Sequence, residues 1–217
     1  MIERALGGLP EVHAVIYEPA GAPSPERMVK EKKAPKMTVG RASLIGLMRR
    51  YLSAVLDPSI SLLELHKLMY FMQEAGEPLR LNYNKATYGP YAENLRHVLS
   101  VIEGYLITGY GDAADNPEKQ IEVMPGASDK AEAFLRDHPE TSQRFERVAD
   151  LINGFETSYG MELLSTVHWV ASEEGASGAD EVVSKFYAWN DRKRVFKERQ
   201  IRLTLDVLQK KGWVSAG

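Results

Sequence analysis

The chain has 217 residues, 44% of them hydrophobic and 26% charged, with a formal net charge of −3. This is the composition of a globular protein long enough for a sizeable core. The complete absence of Cys excludes disulfide scaffolds, Cys-ligated zinc, iron–sulfur centres and thiol nucleophiles, and no apolar run approaches the ~18 residues of a membrane span. The first residues, Met1-Ile2-Glu3-Arg4, lack the plan of a signal peptide, so a cytoplasmic location without membrane contact is expected.

Residues 2–6 read as a turn or two of helix and Val12–Tyr17 as a short strand. That strand has no obvious sheet nearby. Residues 18–37 read as a flexible linker, punctuated by Pro19, Pro23, Pro25 and Pro35 and carrying a run of lysines. From residue 38 the periodicity is mainly helical. Thr38 can cap a helix carrying Leu44, Leu47, Met48, Tyr51, Leu52 and Val55, ended by Asp57-Pro58. Ser61-Leu62-Leu63-Glu64 is a capping box opening a second helix that Gly76 stops. Leu79–Tyr83 alternates like a strand, Gly89-Pro90 reads as a sharp turn, and a helix follows from Tyr91 to Gly104. Tyr105–Thr108 and Ile121–Met124 read as strands able to pair with each other and with residues 79–83. Further helices are predicted from Ser128, Thr141, Tyr159, Ala179 and Glu198, the last closed by Gly212 after Lys210-Lys211. The expected class is α+β, mainly α, with about seven helices around a small antiparallel β-sheet.

The small net charge is a sum of blocks. Residues 26–50 hold eight Lys/Arg against two Glu, and residues 185–211 hold nine bases against three acids. Residues 103–124 and 129–162 are acidic, and 172–181 carry four acids and no base. Such blocks can steer partners by their field.

No catalytic motif is evident. The five histidines are not in metal spacing, and Glu64 and His66, two apart, point to different helix faces. Glu93 and His97 read as a surface contact, and His168 beside Trp169 as a core histidine. Gly109-Tyr110-Gly111-Asp112-Ala113-Ala114 matches a dinucleotide pattern formally, but no helix follows and two aspartates would repel a pyrophosphate. No metal, cofactor or small-molecule ligand is expected. The unusual cluster is Asn82 to His97, which crowds Tyr83, Tyr88 and Tyr91 with Asn82, Asn84, Lys85, Asn94 and Arg96 around a turn, a composition typical of contact surfaces.

Lys67-Leu68-Met69-Tyr70-Phe71, Gly76-Glu77-Pro78-Leu79 and Ala86-Thr87-Tyr88-Gly89-Pro90-Tyr91 resemble the Panacea-type antitoxin domain. A longer set is similar to the C-terminal half of the DarG antitoxin family. It comprises Gln73–Arg80, Asn94–Leu99, Ile102-Glu103-Gly104, Gly109–Asp112, Gly154-Phe155-Glu156, Tyr159–Leu164, Val167–Ala171 and Lys211-Gly212-Trp213, and spans about residues 40–214. The resemblance implies residues 1–17 as the tail of a macrodomain, 18–37 as linker and 38–217 as an antitoxin domain. It further implies a bacterial, non-enzymatic function: binding and inhibition of a DarT toxin that ADP-ribosylates thymidine in single-stranded DNA. An acidic and aromatic surface would imitate DNA in the toxin's cleft. The residues assigned to that surface are Tyr83, Lys85, Tyr88, Tyr91, Asn94, His97, Glu103, Tyr105, Tyr110, Asp112, Asp115 and Glu118, with Glu122 beside them. One alternative is a DNA-binding autorepressor contacting nucleic acid through Arg192, Lys193, Arg194, Lys197 and Arg199, with Arg202 behind them. A second alternative is ADP-ribosyl-DNA hydrolysis, expected only together with a complete macrodomain.

Overall fold

A computed structural model of the protein describes residues 34–111 and 116–215. The assigned macrodomain tail and most of the linker therefore lie outside the described residues, as do Asp112 and Asp115. The described residues belong to one compact unit beginning at Ala34. They form eight α-helices and two small antiparallel sheets, an α+β, mainly α fold. Among them, no helix is long and apolar enough to cross a membrane.

The first helix, α1 (Val39–Val55), starts at Thr38, whose hydroxyl accepts from the Arg41 amide, and ends where Leu56 turns left-handed. β1 (Ile60–Ser61) leads into α2 (Leu62–Glu74), and the capping box closes as the spacing requires. α2 is buried on nearly every face, from Glu64 through Met72. α6 (Ser158–Ser172) is equally enclosed and packs against it. These two helices are the axis of the fold. Each apolar side chain they bury contributes roughly 1.5–3 kcal/mol of transfer free energy.

The other helices surround that axis: α3 (Leu95–Ile102), α4 (Ala127–Arg136), α5 (Pro139–Ile152), α7 (Ala179–Ala188) and α8 (Glu198–Lys210). A 3₁₀ turn, Asp191–Val195, joins α7 to α8. Trp213 seals the end, edge-on to Phe71 and His168 and under the Arg147 guanidinium at 4.4 Å. His168 is a core residue, as its setting beside Trp169 suggests, with Nδ1 2.7 Å from the Tyr70 hydroxyl.

The sheets depart from the expectation. β4 (Ile107–Thr108) and β5 (Gln120–Val123) do pair antiparallel, with Ile107 opposite Val123. The third strand is β1, not residues 79–83. Leu79–Asn82 forms no strand because Arg80 is left-handed, with φ at 58°. Leu81 needs no strand partner either. The Gln73 side chain accepts from its amide at 2.8 Å and donates to its carbonyl at 3.0 Å, as a neighbouring strand would.

Gly89-Pro90 is not the turn. β2 (Tyr83–Ala86) and β3 (Gly89–Ala92) form a hairpin whose two-residue loop is Thr87-Tyr88. Because the chain stays extended through Ala92, α3 begins at Leu95 rather than near Tyr91. Pro90 is tolerated here because a two-stranded hairpin leaves an open side where an amide donor is not needed.

The glycine-rich stretch has a structural explanation. Gly109 has φ at 100°, and a Cβ there would fall 2.3 Å from the Gln120 carbonyl. The amides of Gly109 and Tyr110 bind the Glu103 carboxylate at 3.1 and 3.2 Å. The loop thus supplies its own anion, a role unlike that of a phosphate cradle.

Candidate functional site

The β2–β3 hairpin is exposed along part of β2 and anchored to the rest of the fold through its carbonyls. Three of its carbonyls accept hydrogen bonds, two from adjacent residues at the end of α7 and one from α2. The Trp189 indole donates to Ala86 at 2.8 Å, the Asn190 amide to Thr87 at 3.1 Å, and the Lys67 ammonium to Pro90 at 2.5 Å. Gly89 lies against α6, where a Cβ would come within 2.8 Å of the Thr166 hydroxyl. Clamping on several rigid elements holds a loop in one geometry, as a binding site needs.

Beneath the hairpin lies a buried charged cluster. The Lys193 ammonium donates to Glu162 at 2.8 Å and to Thr166 at 3.1 Å, and Arg192 reaches the other Glu162 oxygen at 3.2 Å. Lys67 is fully enclosed. Burial, reinforced by the nearby Lys193 charge, pulls its pKa down to about 7 against the attraction of Glu162. Burial also lowers the pKa of Lys193.

Between the hairpin and the N-terminal half of α2 opens a cavity of about 230 Å³. Leu62, Leu63, His66 and Lys67 line it from α2, residues 86–89 and Tyr91 from the hairpin, and Pro117 from the loop before β5. Its walls are mostly apolar and aromatic. The His66 and Tyr91 rings stack 4.1 Å apart, and Arg192 covers the Tyr88 ring at 4.5 Å. Burial drives the His66 pKa down to about 3, with the Lys67 charge adding to the effect, so the imidazole is neutral. Its Nδ1 is buried and has no hydrogen-bond partner among the described residues. Among those residues, no three His, Asp or Glu side chains gather into a metal site.

The predicted site residues fall into three groups. Tyr88 and Tyr91 meet at the cavity, with Lys85 nearby on the hairpin, paired with Glu174 at 2.6 Å and lying over the Trp189 ring. Tyr83, Asn94 and Glu103 hold structure together. The Tyr83 hydroxyl donates to the His66 carbonyl at 3.2 Å, and its pKa is pushed well up by burial and by Glu74. The Asn94 amide group spans Asn82 N and Arg80 O, both at 2.9 Å.

The third group does not make the expected acidic and aromatic face. Tyr110 is fully buried and Tyr105 half-buried, so the aromatic part is withdrawn into the fold. His97, Glu118 and Glu122 are exposed. Arg96, rather than His97, pairs with Glu93. Of the basic residues assigned to nucleic acid, Lys193 is buried and Arg192 is engaged with Glu162, whereas Arg194, Lys197 and Arg199 are exposed.

Reading the chain residue by residue set His66 aside, gave Lys193 only a nucleic-acid contact, and did not bring Lys67, Glu162 and Lys193 together. Lys67 and Glu162 stand in apolar helical runs, and a charge amid such a run is the one available signal.

The fold and this site define a mainly helical α+β protein with a mostly apolar, aromatic cavity under an anchored hairpin. Among curated proteins, the chain is similar to a "DNA ADP-ribosyl glycohydrolase" of Thermus aquaticus, 41% identical over 211 residues that make up 97% of this chain and 58% of that protein. Proteins of the same name from Mycobacterium bovis and Mycobacterium tuberculosis are each 36% identical, covering 91% of this chain and 59% of their own length. The chain thus spans a little under three fifths of the curated relatives it matches. No family model matches it.

These matches correct the functional expectation. Nearly the whole chain is shared with proteins named as hydrolases, so it is not read as a non-enzymatic antitoxin domain alone, nor as an inhibitor of a DarT toxin acting by DNA mimicry. Of the alternatives weighed from the sequence, ADP-ribosyl-DNA hydrolysis agrees with those names.

Proposed function

We propose that the chain is part of a hydrolase that releases ADP-ribose from DNA. The observation carrying this reading is the 36–41% identity to DNA ADP-ribosyl glycohydrolases along almost all of the chain. An enzyme of this kind must hold a polyanionic strand and cleave a glycosidic bond attached to it. The exposed Arg194, Lys197 and Arg199 offer the strand a cationic contact near the 3₁₀ turn, and the anchored hairpin offers an aromatic one.

The test is direct. The protein at its full encoded length is incubated with an ADP-ribosylated single-stranded oligonucleotide, and free ADP-ribose is followed with time. Multiple turnovers are expected, and a product trace no different from buffer would refute the reading. Running residues 1–217 in parallel shows how much of the chemistry this chain carries.

A further inference from the structure

Three helices turn one face each toward a cleft of about 480 Å³ that the proposed function leaves unused. α1 brings Arg49 and Arg50 to it, α4 brings Ser128, Glu132 and Arg136, and α5 brings Phe145 and Glu146. On α4 these residues recur at every fourth position, which places them along one face of the helix. The Phe145 ring lies close to α1, where a Cβ at Gly46 would fall 3.0 Å from it. The volume is within the ~300–1,000 Å³ of small-molecule sites, so there is room for an organic body as well as a charged group.

Positive charge is in excess here. The Arg49 guanidinium meets one oxygen of Glu132 at 2.8 Å, and the Arg136 guanidinium meets the other at 3.1 Å. Arg50 has neither a hydrogen bond nor an ion pair among the described residues, and the Ser128 hydroxyl is likewise unpartnered there. Glu146, the second acid of the cleft, is exposed and pairs with none of the three arginines. Arg50 also borders an adjoining cavity, but the acids of that cavity are engaged elsewhere, Asp150 with Lys211 and Glu156 with the Gly154 amide. In other parts of the surface the pairing is the reverse. Arg144 has two carboxylates, Glu77 and Glu140, and Arg202 has Asp180 and Glu198.

Folding does not account for this arrangement. The side chains of Arg49, Glu132 and Arg136 are half exposed or more, where ion pairs contribute little to stability. Like charges gathered at one place oppose one another, and an anion between them relieves that opposition. The planar fork of a guanidinium matches phosphate in particular, and each of these guanidiniums keeps N–H donors to spare.

We propose that this cleft binds the phosphate group of a nucleotide, held by the Arg50 guanidinium and the Ser128 hydroxyl, with Arg49 and Arg136 alongside and the flat ring of the nucleotide against Phe145. Aromatic side chains accept any base by its face. The phosphate has two sources with the same chemistry, a free nucleotide or the backbone of a DNA strand. The assignment rests on the charge and shape of the cleft and is independent of the hydrolase reading.

The experiment is isothermal titration calorimetry on the full chain, comparing thymidine monophosphate with thymidine, which has the same ring and no phosphate. The monophosphate should saturate one site, and thymidine should bind at least about tenfold more weakly, the order expected when a charge-assisted contact is lost. Arg50→Gln should weaken the monophosphate by about tenfold. Glu146→Gln should tighten it about threefold, because it takes a negative charge out of the cleft. Both residues are exposed and unpaired among the described residues, so neither substitution removes a contact of the fold, and opposite shifts are not what a loss of structure produces. Competition then identifies the source. Displacement of the monophosphate by an oligothymidylate without terminal phosphates assigns the site to the backbone, and no displacement assigns it to free nucleotides. Equal binding of thymidine and its monophosphate, no saturation by the monophosphate, or an affinity that does not move in opposite directions in the two variants would overturn the proposal.

Discussion

Two charged clusters sit on the same helix, three residues apart, and solve burial in opposite ways. Glu64 is surrounded by neutral donors. Its carboxylate accepts from the Ser61 amide at 2.8 Å, the Ser61 hydroxyl at 2.6 Å, the Tyr51 hydroxyl at 2.7 Å and the Ser158 hydroxyl at 3.0 Å. Lys67 has a single carbonyl and shares its surroundings with Lys193, Arg192 and one carboxylate, Glu162. The first cluster is a satisfied single charge that ties β1, α1 and α6 to the start of α2. The second gathers more positive groups than negative ones and holds the Lys67 proton loosely. Hydrogen bonds stabilise a buried charge without opposing it, whereas burial, reinforced by the like charge of Lys193, pushes the Lys67 proton off. The loosely held proton lies next to the candidate cavity, and the satisfied carboxylate is part of the scaffold.

The largest test of this contrast is Glu162→Ala. It should destabilise the protein by about 3–5 kcal/mol in denaturant unfolding, because it leaves buried cations uncompensated. A loss near zero would mean that the lysines do not depend on Glu162. The pH dependence is the next largest effect. Between about pH 7 and the ordinary lysine value of 10.5, the unfolded chain holds a proton on Lys67 that the folded chain has released. Stability should therefore rise with pH in that window and be insensitive to Lys67 below it, where both states are protonated. Lys67→Met should flatten the rise by up to about 1.4 kcal/mol per pH unit, leaving a contribution of the same sign from Lys193.

Ser158→Ala removes one of the four donors to Glu64. It should cost about 1 kcal/mol in denaturant unfolding, since three donors remain on the carboxylate. At the small end stands Arg49→Ala. The Arg49–Glu132 pair is 2.8 Å long, but both side chains are about half exposed. The unfolding midpoint should not move measurably, and a clear shift would show that distance matters more than burial here.

The charge blocks illustrate what a linear reading can and cannot supply. The basic C-terminal block and the acidic middle are real features of the sequence, but they are largely each other's partners. Arg202 pairs with Asp180, Lys211 with Asp150, and Arg192 and Lys193 with Glu162. Blocks that neutralise one another across the fold leave less field to steer a partner than their separate sums suggest. The cluster at 82–97 was legible as a place of unusual chemistry, and Tyr88 and Tyr91 do reach the cavity. Tyr110 was indistinguishable from them in composition, yet it is buried in the core.

By itself, the sequence determined the features whose physics is local. Helical periodicity, the Thr38 cap, the Ser61–Glu64 capping box and the Gly212 stop depend on residues within a turn or two, and most helices of residues 39–210 follow from such signals, whereas the start of α3 was set by the hairpin. Tertiary structure decided everything that rests on distant partners. The Gln73 side chain replaces a strand beside Leu81, and Lys67 meets Pro90 and Glu162 only when α2, the hairpin and α6 come together. The cavity is of the same kind. It is enclosed by residues up to 55 positions apart, from Leu62 to Pro117, and a pocket is a property of packing, which has no linear signature.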